Sequence, residues 1–226
     1  MPINPARVLY RDDYLLAVHK LPEELVVRGR GEVGKLPLLD FLRKDEPGIR
    51  PIHRLDFETS GVLIFARRKE ALEKVIETKF AGWNKVYRAI VWGKMLTQSG
   101  IIKAKLAGHE PGQLLPAETS YQVVEKFDDC SDVEARFEKG RHHQIRRHFA
   151  SIGHPLALDP LYGDKKRNIS FTKRYGFRRF FLHALRVELI HPITGEKLVI
   201  SSPLPKPYLE AIARFRRGGE RLPKKR

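Results

Sequence analysis

One carboxylate in the sequence lies where it could act directly on a substrate. Asp56 follows Arg54 by two residues in the segment HRLDFETSG, which spans residues 53–61. Side chains two residues apart in an extended chain lie on the same face, so Arg54 and Asp56 would point the same way. Nearby cations favour the ionised form of a carboxylate, which could then attack a carbon atom or abstract a proton. A structural ion pair between the two residues is the alternative.

A second group of polar side chains opens a predicted helix in the segment KGRHHQIRRH, residues 139–148. A helix amino terminus presents unpaired N–H groups and the positive end of the dipole, and both suit phosphate. We therefore predict that five residues bind nucleic-acid phosphates: Arg141, His142, His143, Gln144 and Arg147. A zinc pair is not favoured, because His143 and His148 are five residues apart and a helical zinc pair needs four.

A third segment, KKRNISFTKRYGFRR at residues 165–179, alternates basic and aromatic residues. Unstacked bases pack on aromatic rings, while cations bind phosphates. We predict an irregular loop here that binds nucleic acid through Lys165, Lys166 and Arg167. The alternative is a solvated loop whose aromatic side chains pin it to the protein.

No motif for a bound cofactor accompanies these segments. The sequence contains no glycine-rich nucleotide loop, no HExxH zinc motif and no nucleophile elbow. We therefore expect side chains alone to perform the chemistry, with no cofactor and no metal.

Hydrophobic patterning predicts the elements that must position these residues. The unbroken apolar run 62–66 suits a strand that is covered on both faces at the centre of a sheet. Further strands are predicted at 8–10, 15–18, 25–27, 85–92, 101–106, 119–127, 133–137, 180–190 and 197–201. Helices are predicted at 72–80, 145–152 and 208–215, and irregular stretches at 108–116 and 162–176. Helices among many hairpin-like strands indicate an α+β protein with a mixed, largely antiparallel sheet.

The charge of the chain points to a polyanionic partner. Forty-three Lys and Arg against 27 Asp and Glu give a net charge of +16, and basic side chains release counterions from phosphates. A basic protein without such a partner is the alternative. The single cysteine, Cys130, excludes an internal disulfide framework and fits a reducing cytoplasm. The amino terminus lacks a long apolar core and no later apolar run reaches the length of a membrane span, so we expect an unprocessed, cytoplasmic protein that needs no membrane.

The domain organisation is expected to be simple. We predict one catalytic domain over residues 1–213, acting as a monomer. Residues 214–226 carry seven basic residues against Glu220 and are predicted to form a basic C-terminal arm without folded structure.

Several separated blocks, in order along the chain, resemble the RluA-type family of RNA pseudouridine synthases. They are HRLDFETSGVLIFA, KVYRAIVWG and GRHHQIRRHFASIGHPLALDPLYG, and FLHALRVELIHPITGE is similar to the closing strand and hairpin of that family. The resemblance spans roughly residues 8–203. Ordered blocks are far more specific than one motif.

The resemblance implies a pseudouridine synthase catalytic fold, with a mixed sheet and a central RNA-binding cleft. It implies that Asp56 is the catalytic residue, that Tyr87 lies against the target base and that Arg146 pairs with Asp56. It also implies a role for Arg54 in displacing a base, which must leave its stack before the ribose can be reached. The reaction needs neither cofactor nor metal.

Two segments depart from the family pattern, and both leave Asp56, Tyr87 and Arg146 intact. The early block reads HKLPEELVV where NKPxGxxVH is usual, and Leu158 stands where a glycine commonly precedes the aspartate of GDPLYG. The double arginine of HQIRRH and the basic insertion after Tyr162 look like the members that act on tRNA, while ribosomal RNA remains open. The competing interpretations are a non-catalytic or chaperone-like RNA-binding protein on the same scaffold and a basic structural protein of the ribosome.

Overall fold

The computed structural model describes residues 3–28, 36–108 and 112–218. The chain divides into two compact units, of which the first comprises Met1–Val86 and His183–Pro203 and the second comprises Tyr87–Leu182 and Leu204–Arg226. The single domain predicted over residues 1–213 stays a prediction. None of the helices in the described ranges is long and apolar enough to span a membrane.

Ten strands, five α-helices and one short 3-10 helix (Pro5–Arg7) are formed by the described residues. The strands are β1 (Val8–Arg11), β2 (Leu15–Lys20), β3 (Arg50–Pro51), β4 (Ser60–Ala66), β5 (Asn84–Trp92), β6 (Ser99–Ala107), β7 (Leu114–Lys126), β8 (Cys130–Phe137), β9 (Leu182–Ile190) and β10 (Lys197–Ser201). The helices are α1 (Leu38–Leu42), α2 (Lys69–Glu77), α3 (Gln144–Ser151), α4 (Lys165–Tyr175) and α5 (Lys206–Arg216).

In the first unit, β4 lies in the middle of a mixed sheet. It pairs with β2 antiparallel on one side and with β9 parallel on the other, with Ser60 opposite His183. The pairs β1–β2, β3–β4 and β9–β10 are antiparallel. Every residue of β4 is buried, which confirms the strand predicted to be covered on both faces.

One helix packs on each face of this sheet. Alternate residues of β4 point to opposite faces, so Ile64 lies in one apolar cluster and Phe65 in another. The amphipathic helix α2 buries Val75 in the cluster of Ile64, as its spacing predicted. The short helix α1, which the sequence did not predict, buries Leu39 in the cluster of Phe65.

The strand predicted at residues 25–27 is wrong. The carbonyls of Leu25 and Val26 accept hydrogen bonds from the N–H groups of Leu38 and Leu39, at 2.8 and 3.0 Å. These N–H groups begin α1, where a helix has no internal acceptors for them. The apolar segment therefore caps a helix, and Val26 is buried in the same cluster as Leu39.

The second unit contains an antiparallel meander and three helices. Its strand order is β5, β8, β7, β6, and β7 pairs antiparallel with both β6 and β8. Strand β7 begins at Leu114, which faces Ala107, so the end of the irregular stretch predicted at 108–116 is wrong. The parallel pair in one unit and the antiparallel meander in the other confirm the α+β class with a mixed, largely antiparallel sheet. The predicted central RNA-binding cleft stays a prediction.

The irregular loop predicted over residues 165–179 is wrong for its first eleven residues, because Lys165–Tyr175 form α4, and it is confirmed only for residues 176–179. Asp164 caps this helix by accepting a hydrogen bond from Arg167 N at 2.7 Å. Gly176 ends it with a φ of 77°, a left-handed conformation that favours glycine. Phe171 and Tyr175 are four residues apart, so they lie on one face of the helix, and both are buried. The packing of this apolar face stabilises a helix in a segment whose many charges had favoured the prediction of a loop.

The beginning of the predicted basic arm is folded. Arg214, Phe215 and Arg216 lie in α5, and Phe215 is buried. Helix α5 is anchored by Tyr208, whose hydroxyl donates to the buried carboxylate of Asp132 at 2.9 Å. The last eight residues of the predicted arm, 219–226, lie outside the described residues.

Candidate active site

Asp56 lies in the loop that leads into the buried strand β4. Arg54 is exposed and Asp56 is partly buried, and no regular structure includes either residue. The loop turns after Asp56, where Thr59 N donates to the Asp56 carbonyl at 3.1 Å. Thr59 is itself buried, so one end of the loop is fixed by the core.

A buried lysine at the end of β2 holds this turn from the other side. Lys20 is 0 % exposed, and its Nζ donates to the carbonyls of Leu21, Phe57 and Thr59 at 3.0, 2.9 and 2.7 Å. Burial lowers the pKa of Lys20 to about 8, although the negative charges of Glu24 and Asp56 oppose that shift. The ammonium group therefore lies close to the candidate catalytic carboxylate and fixes the backbone on its carboxyl side.

Lys20 was not predicted as a site residue, because its block departs from the family pattern and does not contain Asp56, Tyr87 or Arg146. The one available signal was a lysine that ends the apolar strand LLAVHK. Its partners are backbone carbonyls, which leave no trace in the identity of the residues that supply them.

His53 holds the loop on its amino-terminal side. Its Nε2 accepts a hydrogen bond from Ile64 N at 3.2 Å, so the imidazole is tied to the central strand. Burial and the neighbouring charge of Lys85 lower the pKa of His53 to about 3. The ring is therefore neutral at physiological pH, and it serves as an anchor and not as an acid catalyst.

The junction between the loop and β4 is packed against β9. His183 Nε2 lies 3.1 Å from the carbonyl of Ser202, which can only accept, so Nε2 carries the proton. The other ring nitrogen, Nδ1, lies 2.9 Å from the Ser60 hydroxyl oxygen. Gly61, with a φ of 113°, brings the two backbones so close that a Cβ there would lie 2.2 Å from the carbonyl oxygen of Ala184.

Arg146, in the second unit, is buried and held on several sides. Its Nε and Nη2 donate to the two carboxylate oxygens of Asp159 at 2.7 and 2.9 Å, and the pair is almost fully buried. The guanidinium carbon lies 5.1 Å from the ring centroid of Tyr162 and 4.7 Å from that of Phe180. The partner that the resemblance implies, Asp56, belongs to the first unit, and that pair stays a prediction.

Asp159 is kept ionised by its surroundings. Burial raises the pKa of Asp159, but hydrogen bonds from Arg146 and from the backbone N–H groups of Tyr162 and Leu161 outweigh it and leave the pKa below its usual value. Asp159 was not predicted as a site residue, although it lies in the block GRHHQIRRHFASIGHPLALDPLYG that resembles the family.

The turn before α3 separates the predicted RNA-binding residues into two kinds. Gln144 is buried, and its side chain accepts from Arg141 N and donates to the Glu118 carbonyl, both at 2.9 Å. This geometry favours a role for Gln144 in shaping the turn over contact with RNA. His143 has a left-handed φ of 54°, and its ring stacks on His142 with centroids 3.7 Å apart. His142 is exposed, and Arg141 and Arg147 are partly buried.

Tyr87 lies in β5 and is buried, with 7 % of its surface exposed. Its ring stacks on Phe137 of β8, with centroids 5.2 Å apart and an angle of 20° between the planes. Contact with the target base stays a prediction.

Three predicted RNA-binding cations, Lys165, Lys166 and Arg167, form the exposed first turn of α4. None of them has a carboxylate partner among the described residues, and the Arg167 guanidinium lies 5.7 Å from the ring centroid of Trp92. The carboxylate of Asp164 caps the same end of the helix, where an anion is favourable. By contrast Arg174, later in the helix, is paired with Asp129.

Across residues 3–28, 36–108 and 112–218, no three His, Cys, Asp or Glu side chains are arranged to hold a metal ion. The structure places Arg54 and Asp56 in the first unit, and Tyr87, Arg146 and the remaining predicted residues in the second.

The chain is similar in sequence and in fold to known proteins. The family model for RNA pseudouridylate synthase matches residues 14–151. Among solved structures, the human RNA pseudouridylate synthase domain containing protein 4 gives a TM-score of 0.75 with 24 % identity, over 93 % of each chain. Domain containing protein 1 gives 0.70 with 25 % identity, over 90 % of this chain and 86 % of the other.

Curated relatives are similar over most of the chain. Ribosomal large subunit pseudouridine synthase C of Vibrio cholerae is 32 % identical over 218 residues, which are 92 % of this chain and 69 % of the relative. The enzyme of the same name from Escherichia coli is 32 % identical over 92 % of this chain and 70 % of its own length. With its mixed sheet, its block order and these similarities, the chain belongs to the RNA pseudouridylate synthase family and is an isomerase that converts uridine in RNA to pseudouridine.

Proposed function

We propose that Asp56 is the catalytic carboxylate of this isomerisation. The reaction breaks the bond between N1 of uracil and C1′ of ribose, turns the base, and joins C5 to C1′. The proton on C5 leaves and N1 gains one, so no atom is added and no electron is exchanged. A carboxylate can begin this sequence as a nucleophile or as a base, and either route needs its ionised form.

The observation that carries this proposal is the anchored loop around Asp56. Lys20 bonds the carbonyls of Phe57 and Thr59, and His53 bonds the central strand on the other side. A catalytic group held on both sides is prepared before the substrate arrives, which reduces the entropic cost of reaching the reactive geometry. The alternative, a structural ion pair between Arg54 and Asp56 on the surface, would not require a loop that is anchored on both sides.

We propose that Arg146 and Tyr87 act with Asp56 on the target uridine. A guanidinium held by Asp159 on one edge and by two aromatic rings can supply a charge of fixed position, which favours an ionised carboxylate. Tyr87 supplies an aromatic surface for the base. Arg54, which is exposed, is proposed to take the place of the base when it leaves its stack.

The exposed cations of the second unit are proposed to bind the RNA backbone. Lys165, Lys166 and Arg167 are exposed on the first turn of α4 without ion-pair partners in the described part of the chain, so their charges are available to phosphate groups. Arg141, His142, His143 and Arg147 are proposed to extend this surface.

The substrate is proposed to be ribosomal RNA of the large subunit, because the relatives reported above carry that substrate in their names. The tRNA substrate suggested by the double arginine is the competing outcome. A monomeric state and a cytoplasmic location stay predictions.

Nucleotide-resolution pseudouridine mapping tests these statements together. Cells that lack the gene, cells with the wild-type gene and cells with Asp56→Asn are compared. We expect at least one position in large-subunit ribosomal RNA to be modified only with the wild-type gene. Loss of a position in tRNA alone would move the substrate to tRNA, and full modification with Asp56→Asn would remove Asp56 from the mechanism. A non-catalytic RNA-binding protein would leave every position unchanged in all three strains.

A further inference from the structure

The turn that carries Asp159 contains a backbone conformation that its sequence does not favour. Leu158 has a φ of 70°, in the left-handed region, and its side chain is 5 % exposed. A side chain with a Cβ is strained in this conformation, whereas glycine adopts it readily. Leu158 is the position where a glycine was expected from the family pattern.

A single side chain from α4 bonds this turn on both sides of the strained residue. Asn168 Oδ1 accepts from Leu158 N at 3.0 Å, and Asn168 Nδ2 donates to the Asp159 carbonyl at 2.8 Å. The same carbonyl accepts from Gly163 N at 3.1 Å, which closes the turn. Asn168 itself is fixed, because it lies in the regular helix and its N–H donates to Asp164 O at 2.9 Å.

Asp159 then transmits this position to Arg146. Its two carboxylate oxygens receive Nε and Nη2 of the arginine in a buried, bidentate pair, a geometry that allows little rotation of the guanidinium. A shift of the Asp159 backbone would therefore move the arginine, since Asp159 Oδ1 is also bound to the N–H groups of Leu161 and Tyr162.

We propose that Asn168 is a positioning residue for Arg146, and that it holds the Asp159 turn in a conformation that glycine at position 158 would hold without help. This inference rests on the proposed role of Arg146 in uridine isomerisation. It also means that the helix proposed to bind RNA phosphates is the one that places the arginine.

The test is a double-mutant cycle between Asn168 and Leu158. Asn168→Ala and Leu158→Gly are made singly and together, and single-turnover rates are measured with enzyme saturating over RNA. We expect Asn168→Ala to slow the rate at least tenfold in the wild-type background and less than threefold in the Leu158→Gly background. RNA affinity should stay within twofold throughout, because none of these side chains is proposed to touch RNA. Ser170→Ala, an exposed change on the same helix, is the control and should leave the rate unchanged.

A second measurement is independent of activity. The Nε–H proton of Arg146 is buried against Asp159, so we expect slow hydrogen exchange in the wild-type protein, measured by nuclear magnetic resonance. Exchange should become at least tenfold faster in Asn168→Ala. This exchange measurement tests the role of Asn168 even if the Leu158→Gly variant does not fold.

Three results would overturn the inference: a rate for Asn168→Ala within twofold of wild type, an equal loss in both backgrounds, or unchanged exchange at Arg146. Wild-type enzyme that forms no pseudouridine in any RNA would instead count against the proposed function, and the exchange measurement would still judge the role of Asn168.

Discussion

At the scale of single residues, the candidate site depends on buried charges that are compensated by fixed groups. Lys20 gives its ammonium to three backbone carbonyls, and Asp159 accepts an arginine and two backbone N–H groups. Burying a charged group costs free energy unless hydrogen bonds compensate it. The hydrogen bonds of Lys20 and Asp159 therefore indicate which backbone segments the fold holds in place.

The buried ammonium of Lys20 predicts a specific pH dependence of stability. Its pKa falls from 10.5 to about 8 on folding, so between these pH values the unfolded chain binds more protons at this site than the folded chain. The free energy of unfolding contributed by this group therefore rises with pH across that window, by about 3 kcal/mol. Lys20→Met should remove this rise. Relative to wild type, the variant should lose stability from pH 8 to 10.5 in urea unfolding.

The same variant should also lower activity. Without the ammonium, the carbonyls of Phe57 and Thr59 lose a donor, so we expect the single-turnover rate of Lys20→Met to fall at least tenfold while RNA affinity changes little. Lys44→Met, at an exposed position, is the matched control. Stability curves for Lys20→Met and wild type that run parallel with pH would contradict the assigned pKa.

Asp56→Asn is the most direct substitution at this scale. It keeps the shape of the side chain but removes the ionised oxygen, so turnover should fall below detection while RNA affinity stays within a few fold. Asp13→Asn, an exposed change in the same unit, should leave both unchanged. Activity of Asp56→Asn within tenfold of wild type would disprove its catalytic role.

At the scale of elements, the loop of Asp56 depends on the parallel contact of β4 with β9. Gly61→Ala would place a Cβ 2.2 Å from the Ala184 carbonyl oxygen in a backbone with a φ of 113°. We expect a loss of about 3 kcal/mol or more in the free energy of unfolding, because strain and overpacking add. Gly48→Ala is the control for backbone strain alone, because Gly48 has a φ of 85° and open space around it. This variant should lose about 1 kcal/mol in the free energy of unfolding. Equal losses for the two variants would mean that the close contact has no energetic role.

The first turn of α4 predicts a salt dependence. Replacement of Lys165, Lys166 and Arg167 by Ala should flatten the slope of log affinity against log salt by about 0.7 to 0.9 for each cation that contacts a phosphate. The rate at saturating enzyme should change little. Lys69→Ala with Lys74→Ala on α2 is the control, because both lysines are paired with glutamates. An unchanged slope in the α4 variant would assign these cations to solubility.

How far the sequence predicts these elements depends on whether apolar spacing or charge dominates a segment. The run 62–66 is apolar throughout, and it forms the buried β4 as predicted. In α4 five of the first ten residues are basic. This charge led to the prediction of a loop, although the spacing of Phe171 and Tyr175 is that of a helix. For the site, the block around Asp56 was found through its resemblance, whereas Lys20 and Asn168 were not. Both act on backbone groups, and contacts of that kind appear only when distant segments are brought together.

At the scale of the whole molecule, the net charge of +16 should make RNA binding strongly dependent on salt. Residues 219–226 lie outside the described residues but carry Arg221, Lys224, Lys225 and Arg226. Deleting them leaves α5 intact, so we expect weaker RNA binding at low salt with little change in the single-turnover rate. A flattening of the salt slope by about one or more would place the arm in contact with phosphate. Unchanged slope and affinity would leave α4 and the turn before α3 as the phosphate-binding surfaces.

The pairing of β4 with β9 also sets the order in which the chain can fold during synthesis. Ser60 and His183, which face each other across these strands, are 123 residues apart in sequence. At 5 to 20 residues per second, the ribosome needs about 6 to 25 s to make the intervening chain. During that interval β4 can pair with β2 on one edge and with the short β3 at Phe65 and Ala66, but the end of β4 at Ser60 and Gly61 has no neighbour on the side that β9 will occupy. The nascent first unit should therefore bind chaperones that recognise exposed apolar strands until β9 has emerged. Ribosome-bound chains that end before residue 183 should be more sensitive to protease in residues 60–63 than the finished protein.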